Sequence, residues 1–213
     1  DLEDLEQRCQ AERSRSPKES EIYIVTESVF SMDGDSPDLK KLIKLSKTHN
    51  AHLIIDEAHA LGLFEKGLVQ KLGLENDVFA RVITFGKALG CHGAAILGSQ
   101  DLKDYLVNFS RSFIYTTALP PHALATILIA YQKLAETKQR EKLKKNIDFF
   151  KTEIKRVGFQ FFPSGEMSAG QRGFIQSDSA IQCCILPGNE KVKSVASILQ
   201  DHGFDVKPIL SPT

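Results

Sequence analysis

Leu53-Ile54-Ile55-Asp56-Glu57-Ala58-His59, followed by Arg81-Val82-Ile83-Thr84-Phe85-Gly86-Lys87, decides how this chain folds. Each stretch is an apolar, β-branched run that gives way to polar residues, the pattern of a strand reaching its carboxyl end. Asp56 and Lys87 lie 31 residues apart, enough for a crossover through a helix to a parallel neighbour. In a parallel α/β sheet, residues at the carboxyl ends of adjacent strands reach the same crevice. The two stretches therefore predict an α/β fold in which a carboxylate and an amine meet.

That pairing is what pyridoxal 5'-phosphate requires. A lysine amine forms a Schiff base with its aldehyde, and a carboxylate keeps the pyridine nitrogen protonated so that the ring accepts electrons. Alone, Asp56 reads as a strand-end residue capping the next turn, and Lys87 as a surface lysine. Together, with Gly86 and Gly90 around the lysine to let backbone approach a ligand, they read as a site. Desolvation would lower the lysine pKa and make it a better nucleophile. His59, three residues beyond Asp56, can serve the same site and donate to the phenolic oxygen of the cofactor. Thr84 and the Thr116-Thr117 pair before Pro120-Pro121 offer hydroxyls suited to phosphate.

Composition narrows the alternatives. Lys+Arg and Asp+Glu both number 27, so the basic excess of a nucleic-acid binder is missing. No apolar stretch nears the roughly 18 residues of a membrane span. Cys9, Cys91 and the adjacent Cys183-Cys184 form no CxxC pair and no disulfide framework, which predicts a reducing cytoplasm. His49-x-x-His52 has no sensibly spaced third ligand, so no metal is expected. The segment at 56–59 also spells the DEAH box of nucleic-acid-dependent ATPases. That rival needs a GxxxxGK[ST] loop upstream, and none precedes Asp56.

Outward from the two stretches, Ile22-Tyr23-Ile24-Val25 predicts another strand and residues 38–50 a helix with apolar Leu39, Leu42, Ile43 and Leu45. Ala94-Ala95-Ile96-Leu97 predicts a further strand, giving βαβ units and a sheet covered on both faces. Two long helices follow at 122–136 and 139–157. Beyond them strands at 159–162, 180–186 and 204–208 flank a helix at 190–202, with Gly203 as a left-handed cap. The predicted division is 1–135 for a large α/β domain and 136–213 for a small α+β domain. The chain opens within such a domain and closes without a final element, as a piece of a longer protein would.

The segment Ile24-Val25-Thr26-Glu27-Ser28-Val29-Phe30-Ser31-Met32-Asp33-Gly34-Asp35, then DEAHALG at 56–62, TFGKALGCHGAAILGS at 84–99 and SFIYTTALPP at 112–121, resembles the α-oxoamine synthases. These are fold-type I pyridoxal-phosphate enzymes that condense an amino acid with an acyl-CoA and lose carbon dioxide. The resemblance implies part of an aspartate-aminotransferase-like large-domain sheet with a smaller C-terminal domain. It makes Lys87 the Schiff-base lysine, pairs Asp56 with the pyridine nitrogen and brings His59 and Ser31 to the phenolic oxygen. It also assigns Thr84 to phosphate, and Thr116 and Thr117 to the cofactor phosphate of a partner subunit, in a homodimer with shared sites. Implied substrates are an amino acid and an acyl-CoA or acyl carrier thioester. The Phe-Gly-Lys and His-Gly-Ala-Ala-Ile-Leu segments look most like the branch joining L-alanine to a pimeloyl thioester in biotin synthesis. Branches that use glycine or serine share the cofactor residues. Two departures stand out: Lys66-Gly67-Leu68 replaces the usual Gly-Arg-Gly, and the ring-stacking aromatic and carboxylate-gripping arginine of the family lie outside this sequence. The chain alone is therefore expected to be inactive.

Overall fold

The computed structural model describes residues 1–15, 21–163, 166 and 171–211. Three strands, β1 (Ile22–Glu27), β2 (Ala51–Asp56) and β3 (Ala80–Thr84), lie side by side and parallel; β4 (Ala94–Gly98) closes the order antiparallel to β3. Sequence order and spatial order coincide. Glu27 therefore pairs with Asp56, and Asp56 with Val82, so all three parallel strands run out at one edge.

Helices α1 (Leu2–Arg15), α2 (Leu39–Thr48) and the short α3 (Leu68–Lys71) supply the apolar residues that cover one face. Leu53 and Ile55 alternate inward from β2 and pack with Ile24, Cys9, Leu39, Leu42, Ile43 and Val69. The start of α2 is set by Asp38, whose carboxylate accepts from the Lys41 amide at 3.1 Å; that bond holds its carboxyl below the ordinary value. The second face carries a smaller cluster, in which Ile83 and Phe85 meet Leu61 and Leu134, the latter from α6 (Pro121–Glu136). The predicted cover on both faces is thus only partial. Tyr23 and Val25 on β1, and Ile96 and Leu97 on β4, remain exposed.

Two further helices, α4 (Gln100–Phe109) and α5 (Arg111–Ile114), went unread in the sequence. Their signal was available in Ser99, whose hydroxyl accepts from the Leu102 amide at 3.1 Å, with Asp101 in the first turn. The charged first 20 residues predict a helix end and a loop broken at Ser14-Arg15-Ser16-Pro17; the helix end is a full helix, α1, and positions 16–20 lie outside the described residues.

The chain divides into two compact units, Asp1–Ser31 with Ser36–Lys142, and Met32–Asp35 with Leu143–Thr213. The break falls inside α7 (Gln139–Arg156), against the predicted 135/136. The second unit holds β5 (Phe161–Phe162), β6 (Gly173–Ile175), β7 (Cys184–Ile185) and α8 (Asn189–Asp201). Phe174 is its centre, touched by the rings of Phe150, Phe159 and Phe161. Gly203 follows α8 at φ 87°, as its cap role predicts.

Two predicted strands fail here. Of 180–186 only Cys184–Ile185 pairs, because Ser177 and Ser179 divert the chain. The Ser179 hydroxyl accepts from the Ile181 amide, and Gln182 donates to the Ser179 carbonyl. Such local bonds compete with a ladder. Residues 204–208 form no strand; Val206 donates to Phe204, and its carbonyl accepts from Gln200. The three-residue β6, starting at Gly173, is too short to show a period of two and was missed.

Candidate active site

Each parallel strand ends on a polar residue at the same edge: Glu27 on β1, Asp56 on β2, Thr84 on β3. Beyond β2 the chain turns at once. Oδ1 of half-buried Asp56 accepts from the Ala58 amide at 2.7 Å, an Asx turn that brings His59 back beside the strand end.

Glu57, between the two, is completely buried. Its backbone amide donates to the Val82 carbonyl at 2.8 Å, while Oε1 accepts from the Val69 amide at 2.9 Å. Oε2 takes the Arg81 guanidinium, with Nε at 2.6 Å; Arg81 in turn donates to the Lys66 carbonyl. This buried pair ties the Asp56–His59 turn to β3 and to α3. Gly67 is obligatory beside it, since at φ 115° a side chain would collide with the Glu57 carboxylate. Glu57→Ala would strand the Arg81 charge in the core and is expected to destabilise the protein by about 3–5 kcal/mol. Urea unfolding measures it, and a loss under about 1 kcal/mol would contradict the role.

A second turn follows β3. The Phe85 amide donates to Gly93, Cys91 to Phe85, and Gly90, at φ 61°, to Lys87. Thr84 Oγ1 donates to the Gly93 carbonyl at 3.3 Å and accepts from the Gly86 amide at 3.4 Å. The loop holds exposed Lys87 with its Nζ 2.6 Å from His59 Nε2. Burial, then the Lys87 ammonium, push the His59 pKa below its ordinary value, while Glu27 and Asp56 pull the other way. Above pH 6.5 the imidazole is therefore neutral, Nε2 accepts from Lys87, and the proton sits on Nδ1.

The structure thus brings Lys87 and His59 into contact at the strand edge that carries Asp56, and sets Ser31 beside Glu27. The Ser31 amide and hydroxyl donate to the Glu27 carboxylate at 2.9 and 3.2 Å. Thr116 and Thr117 lie on the exposed stretch after α5, joined to that pair by no hydrogen bond among the described residues. Glu27, Glu57 and Arg81 were missed in the sequence. Only Glu27 carried a signal, as the polar end of a strand that had been recognised.

The residues present suit pyridoxal phosphate: an accessible amine, a fixed carboxylate, an uncharged imidazole and a hydroxyl within one turn of the amine. They do not suit a DEAH-box site, because the buried Glu57 is fully engaged by Arg81 and Val69.

Comparison with known proteins agrees. Residues 1–208 match the family described as aminotransferase class I and II. The 8-amino-7-oxononanoate synthase of Emericella nidulans is 38% identical over 202 residues, covering 90% of this chain and 47% of that protein. Among solved structures, Sphingomonas wittichii serine palmitoyltransferase matches with TM-score 0.84 and 28% identity over all of this chain and 50% of its own. The 8-amino-7-oxononanoate synthase of Francisella tularensis matches with TM-score 0.69 and 27% identity, over 91% of this chain and 55% of its own. The chain spans about half the length of the relatives it matches. The α/β architecture is accordingly part of a fold-type I transferase fold, and the resemblance to the α-oxoamine synthases holds. The chain belongs to the aminotransferase class I and II family.

Proposed function

We propose that this chain is the lysine-bearing part of a pyridoxal-phosphate enzyme that condenses L-alanine with a pimeloyl thioester and releases carbon dioxide, as an 8-amino-7-oxononanoate synthase does in biotin synthesis. The observation that carries the reading is the contact of Lys87 with His59 at the strand edge where Asp56 ends β2. The bound cofactor supplies the electron sink on which the chemistry depends.

The residues divide the remaining work. Lys87 would hold the cofactor through its Nζ and, once free, would take the proton from the α-carbon of the bound amino acid. The Lys87 N–H donates to Nε2 of the neutral His59, and that bond orients the amine. Asp56 holds a proton at the pyridine nitrogen by charge, its own position locked by the Ala58 amide. His59 and Ser31 serve the phenolic oxygen, Thr84 the phosphate, and Thr116 and Thr117 the phosphate bound by the other subunit of a homodimer. The free cysteines accord with a cytoplasmic enzyme, and among the described residues no helix is long and apolar enough to cross a membrane.

A serine-using relative is the second reading, favoured by the fit to serine palmitoyltransferase structures. Turnover decides between them. Full-length protein loaded with pyridoxal phosphate is offered L-alanine, glycine or L-serine with a panel of acyl thioesters, and carbon dioxide release is followed. Alanine with a pimeloyl thioester is expected to give the highest kcat/KM. No release with any pair would overturn the proposed reaction.

A further inference from the structure

Glu27 has no role in the proposed function, yet both of its carboxylate oxygens are engaged at the strand edge. It ends β1 directly opposite Asp56. Ser28 and Val29, which follow it, are buried, and the Ser28 amide donates to the Asp56 carbonyl at 2.8 Å, so the two strand ends are fastened together beyond the ladder. Both Glu27 oxygens are used on one residue: Oε2 accepts from the Ser31 amide at 2.9 Å and Oε1 from the Ser31 hydroxyl at 3.2 Å.

We infer that Glu27 is a positioning residue of this site: its carboxylate fixes the Ser31 turn and hydroxyl at the strand edge it shares with Asp56. The inference rests on the cofactor site proposed above and extends it to a residue on a third strand. Charge-assisted bonds to an amide and a hydroxyl hold the five-residue turn from Glu27 to Ser31 in one conformation. The bond to Glu27 fixes the direction of the Ser31 hydroxyl.

The groups acting on His59 come from every strand end around it. Lys87 follows β3 and disfavours the imidazolium; Glu27 on β1 and Asp56 on β2 favour it. Removing the Glu27 charge leaves Lys87 less opposed, so His59 stays neutral to lower pH.

The test is an NMR titration of the His59 ring in the full-length protein without cofactor, its signal identified by loss in His59→Asn. Glu27→Gln preserves size and one acceptor but removes the charge, and is expected to lower the His59 midpoint by about half a pH unit or more. Its affinity for pyridoxal phosphate, read from absorbance, is expected to fall about tenfold. A merely structural glutamate would not move the titration. An unchanged midpoint or an unchanged cofactor affinity in folded Glu27→Gln overturns the inference. Should that variant not fold, Ser31→Ala carries the test: a severalfold loss of cofactor affinity supports the positioning role, and unchanged affinity overturns it. Failure of the wild-type protein to bind pyridoxal phosphate would sink the proposed function instead, while the His59 titration would still report on Glu27.

Discussion

Lys87→Ala in the complete protein is expected to abolish turnover, lowering kcat by at least about ten-thousand-fold, because in the proposed function one amine supplies both the covalent anchor and the proton transfer. The absorbance band near the visible edge that marks the lysine-bound cofactor should vanish with it. Folding should survive. Lys87 is exposed and among the described residues its side chain bonds to His59 alone, so unfolding free energy should change by less than about 0.5 kcal/mol. The combination separates chemistry from stability, two effects that a buried substitution would confuse. A variant that keeps the band and turns over normally would remove Lys87 from the site.

The second large effect is expected from Asp56→Asn. The asparagine oxygen can still accept from the Ala58 amide, so the turn that returns His59 should stay intact. What disappears is the negative charge that, in the proposed function, would hold a proton on the pyridine nitrogen. Cofactor binding should persist within about tenfold, while the rate of proton removal from the amino acid falls on the order of a hundredfold or more. A linked effect has a definite sign. Asp56 raises the His59 pKa, so its neutralisation should leave that imidazole uncharged to a lower pH than in the wild type. Single-turnover kinetics with deuterated amino acid would isolate the step, and near-normal rates would contradict the assignment.

These two residues were legible in the sequence because strand ends are. An apolar β-branched run that stops at Asp56, and another that stops at Thr84, mark where the sheet edge lies without any knowledge of tertiary contacts. The glycine-flanked Lys87, His59 and the motif order then followed from local reading. The parallel βαβ core was legible for the same reason, since its periodicities of two and 3.6 are properties of contiguous residues.

The small unit was less so. Its strands are two or three residues long, and serine hydroxyls and Gln182 satisfy backbone groups that the pattern at 180–186 assigned to a ladder. Short elements are decided by which neighbour arrives, not by their own composition.

The sequence by itself determined the α/β class and the strand edge, and it offered Lys87 and Asp56 as the candidate amine and acid. Only the tertiary structure decided that Glu27 stands opposite Asp56, that Glu57 locks the turn to Arg81, and that Lys87 donates to His59 from 28 residues away. The physical reason is register. Hydrogen bonding between parallel strands chooses which distant residues become neighbours, and charge and burial act through those neighbours alone.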